Sequence, residues 1–358
     1  MLVSPAGIAP PVNWTLPTDR TPRPGGVPRK GRSRMGVEPE VDIVIPVHGG
    51  WEFVRTCVRA ALAQTVPVTI TVVDDRSPDD TADRIAEAFP EVELVRNDVN
   101  LGFARSCNVG ISAGRARLVM LVNSDVVLRP DAAAAAIAAL PDSTASRLGS
   151  GATLLLAPDG TVDSYGIVAD VTGAGFVRFH GAALSAADPV DPPVLGPYGA
   201  VAVYDRAALD EVGLFDTNIF MYGEELDLAF RLRAAGWDCV AIEGPLGTHL
   251  GGASAGRESA RQRRLSGFAR GYLLRKYGVL RSRWALRALA VEIVVSGARL
   301  VLRRDMLSLR GRWEGWLRGA EAPRTALPLD AVDGTIGLRE SMRMRGDRYW
   351  AERPTAPR

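Results

Sequence analysis

Cysteine is rare in this chain, lysine is almost absent, and no long uninterrupted apolar run occurs. The three cysteines, Cys57, Cys107 and Cys239, are far apart and each sits in an apolar pattern. That excludes a disulfide framework and any zinc-type spacing, and reads as reduced core thiols. No stretch of about 18 uncharged apolar residues is present, so a membrane-spanning helix is not expected. The best candidate, "WALRALAVEIVVSGARLVL" (284–302), is broken by Arg287, Glu292 and Arg299. The N-terminus has no basic start followed by an apolar stretch, so no secretory signal is read and a cytoplasmic setting is expected. Only Lys30 and Lys276 are lysines. A GC-rich genome produces that arginine bias without selection for guanidinium. No internal repeat is visible.

What the chain does have is a core-forming composition, 358 residues of which 47% are hydrophobic, and a lopsided charge. The net charge is only +2, yet 257–318 carries 16 Arg and Lys against 4 Asp and Glu. The body at 39–256 is correspondingly acidic. An acidic body with a basic extension points to a cation-dependent site in the first and an anionic partner for the second. An Arg-rich face packed against the acidic body is the structural alternative.

Apolar patterning organises the rest. Residues 1–38 are rich in Pro, Gly and Arg, without apolar periodicity, and read as disordered. Strands are expected at 41–47, 68–75, 92–97 and 117–122, with helices at 51–64, 77–89 (capped by Ser77) and 102–114 between them. Three strand–helix units and a further strand imply an α/β fold with a parallel sheet and right-handed crossovers. Ligands bind such sheets beyond the carboxyl ends of the strands. The polar residues ending these strands are His48, Asp74 and Asp75, Asn97, and Asn123 to Asp125, all on one edge. After 150 the pattern turns to antiparallel hairpins. An amphipathic helix follows at 222–237 with Leu226, Phe230 and Ala234 inward, and then two basic helices at 258–277 and 284–304.

"MLVNSDVVLRP" (120–130) poses the sharpest question, because Asp125 lies within the most hydrophobic run of its neighbourhood. A carboxylate there needs a partner, a cation or water at a sheet edge.

The order of motifs over 41–252, about 60% of the chain, resembles a family-2 glycosyltransferase with a GT-A fold, especially its bacterial rhamnosyltransferase-like branch. The blocks are "VDIVIPVHGG", "VVDDRSPDDT", "RNDVNLGFARSCNVGI", "LVNSDVVL", "GAVAVYDRAALDEVGLFD", "FMYGEELDLAFRLRAAGW" and "THLGGAS". The resemblance implies a Rossmann-like nucleotide-binding half within a mixed sheet, at 39–256, a basic helical extension at 257–320 and a tail at 321–358. It implies an inverting transferase moving a sugar, with rhamnose favoured, from a dTDP- or UDP-sugar. The acceptor would be a hydroxyl of a glycan or polyprenyl-linked acceptor in cell-envelope polysaccharide synthesis.

By resemblance Asp74 sits beside the pyrimidine, with Pro46, Val47 and His48 lining the base; a turn acid and a surface-loop histidine are the plainer readings. Asn97, Asn100 and Gly102 open the third helix, where the glycine would let the backbone approach a ligand and the helix start would favour an anion. Purely structural capping by the asparagines stays open. Asn123, Ser124 and Asp125 match a D-x-D-type motif in its N-x-D form, whose last acid binds Mg²⁺ or Mn²⁺ on the donor diphosphate. With one charge fewer, the cation is expected to arrive with the donor. His249 is the second implied metal ligand. Glu224 and Glu225 are the implied catalytic acids, Glu225 as the base, although acids at a helix start also suit the macrodipole. Gly199, Ala200 and Asp227 fall on the acceptor side; Asp227 and Arg231 also lie four apart, as an ion pair would. The basic helices admit a lodging on an anionic membrane surface, with Leu286, Leu289, Ile293, Leu300 and Leu302 on one side. No nucleic-acid-binding motif accompanies the charge. A catalytically silent scaffold and a sugar-phosphate nucleotidyltransferase are the rival readings.

Overall fold

The computed structural model describes residues 38–142, 147–251, 259–346 and 348–353. The N-terminal segment, apart from Glu38, and the end of the "THLGGAS" block lie outside the described residues.

The first half alternates as its apolar pattern requires. β1 (Val41–Val47), α1 (Trp51–Leu62), β2 (Val68–Asp74), α2 (Thr81–Ala88), β3 (Glu93–Arg96), α3 (Phe103–Ala113) and β4 (Leu118–Val122) follow in order. These strands pair in parallel in the order β3-β2-β1-β4, so their carboxyl ends share one edge. One start differs from expectation. α2 begins at Thr81, and Ser77 does not cap it. The Ser77 hydroxyl instead donates to Asp74 and accepts from the Gly49 amide.

The second half makes the sheet mixed. It supplies β5 (Val126–Leu128), α4 (Ala132–Ala139), β6 (Leu148–Leu156), β7 (Val162–Tyr165), the small pair β8 (Ile167–Ala169) and β9 (Gly175–Val177), β10 (Val201–Asp205), α5 (Arg206–Val212), α6 (Glu224–Ala234) and β11 (Asp238–His249). β10 runs antiparallel between β4 and β6, β11 lies parallel to β6 and antiparallel to β5, and β7 folds back on β6. The two sheet faces bury separate cores, one against α1 and α4, the other against α3, α5 and α6. This is the α/β class with a mixed sheet that the sequence implied. On α6, Leu226 and Phe230 are buried as expected, but Ala234 is exposed; Leu228 and Leu232 take the inward positions.

Three long helices follow: α7 (Ala260–Lys276), α8 (Ala285–Arg303) and α9 (Met306–Arg318). The last was not read from sequence as an element of its own. It packs on α7 at backbone contact. A Cβ on Gly267 or Gly271 would fall 2.3 or 2.0 Å from the Ser308 or Arg312 carbonyl oxygen, and one on Gly311 or Gly315 would meet the Arg264 or Phe268 oxygen equally closely. Glycines four apart on both helices leave no side chain between them, the spacing that lets helix backbones approach. Two short helices, α10 (Leu338–Arg343) and α11 (Tyr349–Glu352), return to the body, where Tyr349 and Trp350 pack with Tyr165 and Phe179.

Candidate active site

The carboxyl edge of β1, β2 and β4 collects the expected polar residues, but not all of them face a ligand. Asp75 binds the start of α3 itself. Its carboxylate accepts from the amides of Leu101 (2.7 Å) and Gly102 (2.9 Å) and from the Asn97 side chain (3.0 Å). The anion that this helix start favours is therefore built into the chain. Gly102 borders a cavity shared with His48 and Asn100, and Phe220 packs against it. At φ +86 a Cβ there would lie 2.6 to 2.7 Å from the Phe220 ring and carbonyl, so Phe220 is what approaches it. Asn97, held by Asp75 and Ser106, is structural. Asp74 is 5% exposed and accepts from the Ser77 amide and hydroxyl. Val47 is buried and its carbonyl accepts the Asp75 amide, while Pro46 stays half-buried above it.

His48 and Asn100 do open onto space. The Asn100 amide lies 3.2 Å from the His48 ring, whose Nδ1 is 2.9 Å from the Asp75 carbonyl. Both line a cavity of about 230 Å³ with Phe220, Tyr222 and Arg261.

Asp125 has a partner, which answers its apolar setting. β11 runs antiparallel to β5 with His249 opposite Val126, and the Leu250 amide donates to the Asp125 carbonyl. That register brings His249 Nε2 to 3.3 Å from Asp125 Oδ1, while its Nδ1 lies 2.9 Å from Asp163 Oδ2. Burial alone would lower the imidazole pKa; the two carboxylates outweigh it and push it up to about 10. Asp163, on β7, was missed from sequence. Its signal was a carboxylate in a strand otherwise buried on both faces. Asn123 is fixed by its own amide donating to the Ala200 carbonyl (2.9 Å), and Ser124 is buried beside it. This corrects the acceptor-side reading of Ala200, whose side chain is 1% exposed in the core. Gly199, next to it, faces open space.

The acids at the start of α6 separate into three roles. Glu225 is half-buried and lines a cavity of about 520 Å³ with Tyr198, Tyr222 and His180; burial raises its pKa. Glu224 turns inward at 4% exposure, and its Oε2 has no hydrogen-bond partner. Burial, and then the Glu225 charge, holds it well above the usual carboxylate range. Asp227 must be corrected as an acceptor-side residue. It is fully buried, ion-paired with Lys276 (2.6 Å) and Arg231 (2.8 Å), and hydrogen-bonded by the Tyr277 hydroxyl (2.9 Å). Its work is to join α6 to α7. Tyr198 is half-buried and lines the same cavity as Glu225. Desolvation first, and then the charges of Asp163, Glu225 and Glu224, push its phenol pKa up.

No cluster of three or more His, Cys, Asp or Glu side chains suited to a metal occurs among the described residues. One carboxylate and one imidazole at Asp125 and His249 are ligand types that Mn²⁺ or Mg²⁺ accepts, but they leave most of its shell to a ligand's own oxygens.

Comparison with known proteins gives a consistent picture. The model of "Glycosyl transferase family 2" matches residues 42–147, which end before Glu225 and His249. The N-acetylglucosaminyl-diphospho-decaprenol L-rhamnosyltransferase of Mycobacterium tuberculosis is 28% identical over 239 residues, 61% of this chain and 78% of that protein. The succinoglycan biosynthesis protein ExoO of Rhizobium meliloti is 36% identical over 95 residues, 26% of this chain and 27% of that protein. Among solved structures, a mannosyltransferase from Pyrobaculum calidifontis in complex with GDP-Man and Mn²⁺ aligns with TM-score 0.48 and 16% identity, covering 80% of this chain and 88% of that one. That likeness is too slight to bear on chemistry.

Proposed function

We propose, from the match of residues 42–147 to the model of glycosyl transferase family 2, that this chain transfers a sugar with inversion from a nucleotide-diphosphate donor to an acceptor hydroxyl. The observation that carries the proposal is the placement of Glu225. It is the carboxylate of its trio that faces a large cavity, which it lines together with Tyr198, while Asp163, His249 and Asp125 form a chain of close contacts elsewhere on the sheet.

In this reading the donor, a dTDP- or UDP-sugar with rhamnose favoured by the relative from Mycobacterium tuberculosis, lies over the carboxyl edge of the sheet. His48, with Pro46 and Val47, borders the nucleobase, and Asp74 offers an acceptor for its imide N–H. Asn100 lines the neighbouring space. Asp125 and His249 would hold Mg²⁺ or Mn²⁺ together with the donor diphosphate. Bound there, the ion offsets charge on the departing diphosphate. Asp163 orients the His249 ring through Nδ1 and leaves Nε2 toward Asp125. Glu225 takes the proton of the attacking hydroxyl, and its raised pKa brings it nearer to working pH as a base. Glu224, buried and unpartnered, holds no position for that step.

The acceptor is a glycan or a polyprenyl-linked sugar of the cell envelope. The outer side of α8 and α9 supports its delivery at a membrane's cytoplasmic face. Leu286 is 85% exposed, Leu302 80% and Trp313 63%, with arginines flanking them. No described helix is long and apolar enough to cross a membrane. Flotation with anionic vesicles at low salt should carry the protein upward, and failure to float removes the membrane reading.

Glu225→Gln is the direct test of the chemistry. Donor affinity measured with Mn²⁺ should stay near the wild-type value while turnover falls by about 10²–10⁴-fold. Unchanged turnover would dismiss Glu225 as the base.

A further inference from the structure

The cavity beyond Glu225 is unlike the acidic edge that faces the donor. Its lining includes four arginines from four separate parts of the chain: Arg270 on α7, Arg299 on α8, Arg312 on α9 and Arg345 just after α10. Two carboxylates line the same cavity, Glu225 and, beside the arginines, Glu292. Glu292 already serves two of them, with Arg270 Nε at 2.7 Å and Arg312 Nε at 3.0 Å. Arg270 and Arg312 stand on α7 and α9, which the glycines hold in backbone contact. Arg345 is close enough to both to be affected by them. Burial first lowers its pKa, Asp170 and Glu292 oppose that, and the Arg270 and Arg312 charges add to the lowering.

Arg299 donates to the Ser308 hydroxyl (3.1 Å) and Arg345 to the Ser341 carbonyl and hydroxyl, so the chain holds all four in place, yet positive charge exceeds negative in this wall and an added anion would be attracted there. Guanidinium groups are planar forks that match phosphate oxygens in pairs and stay charged throughout the physiological range. The lining also includes apolar Phe176, Leu273, Val295 and Trp350, and a volume of about 520 Å³ suits a bound small molecule.

The geometry points to this arginine-lined cavity as the binding site for a phosphoryl group carried by the acceptor, seated so that the acceptor's hydroxyl reaches Glu225. This rests on the transferase reading above and narrows it, because the acceptor becomes an anionic one. It also gives the helical extension and the C-terminal segment a direct part in the site.

Binding tests the site without catalysis. Inorganic pyrophosphate and geranyl diphosphate are titrated calorimetrically into the full chain at low salt with EDTA present, which removes metal-dependent capture at Asp125. Both should bind, the prenyl compound more tightly because the apolar residues of the lining receive its chain. Arg299→Gln combined with Arg345→Gln should weaken each by about tenfold or more, and the doubly lysine-substituted form should recover part of the loss. Absence of pyrophosphate binding to wild type overturns the proposal. Equal affinity for the two probes overturns the assignment to the acceptor and leaves a free-anion site.

Kinetics supplies the second arm. Transfer to a short-chain prenyl-diphosphate sugar should show a raised acceptor KM in the glutamine variant, with donor KM unchanged. Transfer to an uncharged alkyl glycoside of the same sugar should be unaffected; equal losses on both acceptors count against the site. Donor hydrolysis with water as acceptor reports on the transferase reading separately. Its absence in wild type would refute that reading while the calorimetric result still decides this one.

Discussion

Replacing Asp227 by asparagine separates a structural residue from a substrate-facing one. The carboxylate is fully buried and accepts from three donors: Lys276 Nζ at 2.6 Å, Arg231 Nε at 2.8 Å and the Tyr277 hydroxyl at 2.9 Å. Asparagine keeps the size and one acceptor oxygen, but turns an NH₂ toward either Lys276 or Arg231, which meet different oxygens of the carboxylate. Removing one member of a buried ion pair costs about 3–5 kcal/mol, chiefly through the charge left behind. Here both cations retain other partners. Lys276 still meets Asp216 at 2.8 Å, and Arg231 still donates to the carbonyls of Val212, Gly213 and Leu214. The loss should therefore lie at the lower end, about 3 kcal/mol. Against a total stability of roughly 5–15 kcal/mol this is large, and it should lower the melting midpoint by about 5 °C or more. Urea unfolding of the two proteins, followed by circular dichroism, measures it. Were Asp227 on the acceptor side, stability would hold and acceptor KM would rise. A loss below about 1 kcal/mol with a raised KM would refute the burial argument.

Glu224→Gln should act oppositely, and with a pH signature. The folded-state pKa of Glu224 lies well above its ordinary 4.5, so above that ordinary value the folded chain holds a proton that the unfolded chain has lost. Stability contributed this way falls as pH rises through the window between the two values. Wild type should thus lose more stability than Glu224→Gln between about pH 5 and pH 8 in thermal melts; equal slopes would contradict the assignment. Gly102→Ala should destabilise by about 1–3 kcal/mol, because φ +86 is strained for alanine and the methyl strikes the Phe220 carbonyl; differential scanning calorimetry showing wild-type stability would disprove that crowding.

The acidic patterning of the site misled in one respect. Asp75 and Asn97 share a strand-end edge with His48 and Asn100, and their residue types suit ligand binding equally well. What the pattern could not show is that the Asp75 carboxylate accepts from the Leu101 and Gly102 amides at the start of α3. Sequence likewise could not tell Glu224 from Glu225. Adjacent helix positions point about 100° apart, but which one meets the cavity depends on how α6 packs against β10 and α7.

Local pattern by itself determined the strand–helix alternation, the parallel half of the sheet and the polar edge. Hydrophobic period and turn chemistry act over a few residues and leave their marks there. It also singled out Asp125, since a carboxylate within an apolar run is costly wherever the chain goes. Only the tertiary structure decided the partners. His249 reaches Asp125 through the register of β11 on β5, Asp163 arrives on a hairpin with no motif, and four arginines spanning Arg270 to Arg345 meet through helix packing. Contacts between residues distant in the chain are set by how whole elements dock, and no short window of sequence carries that information.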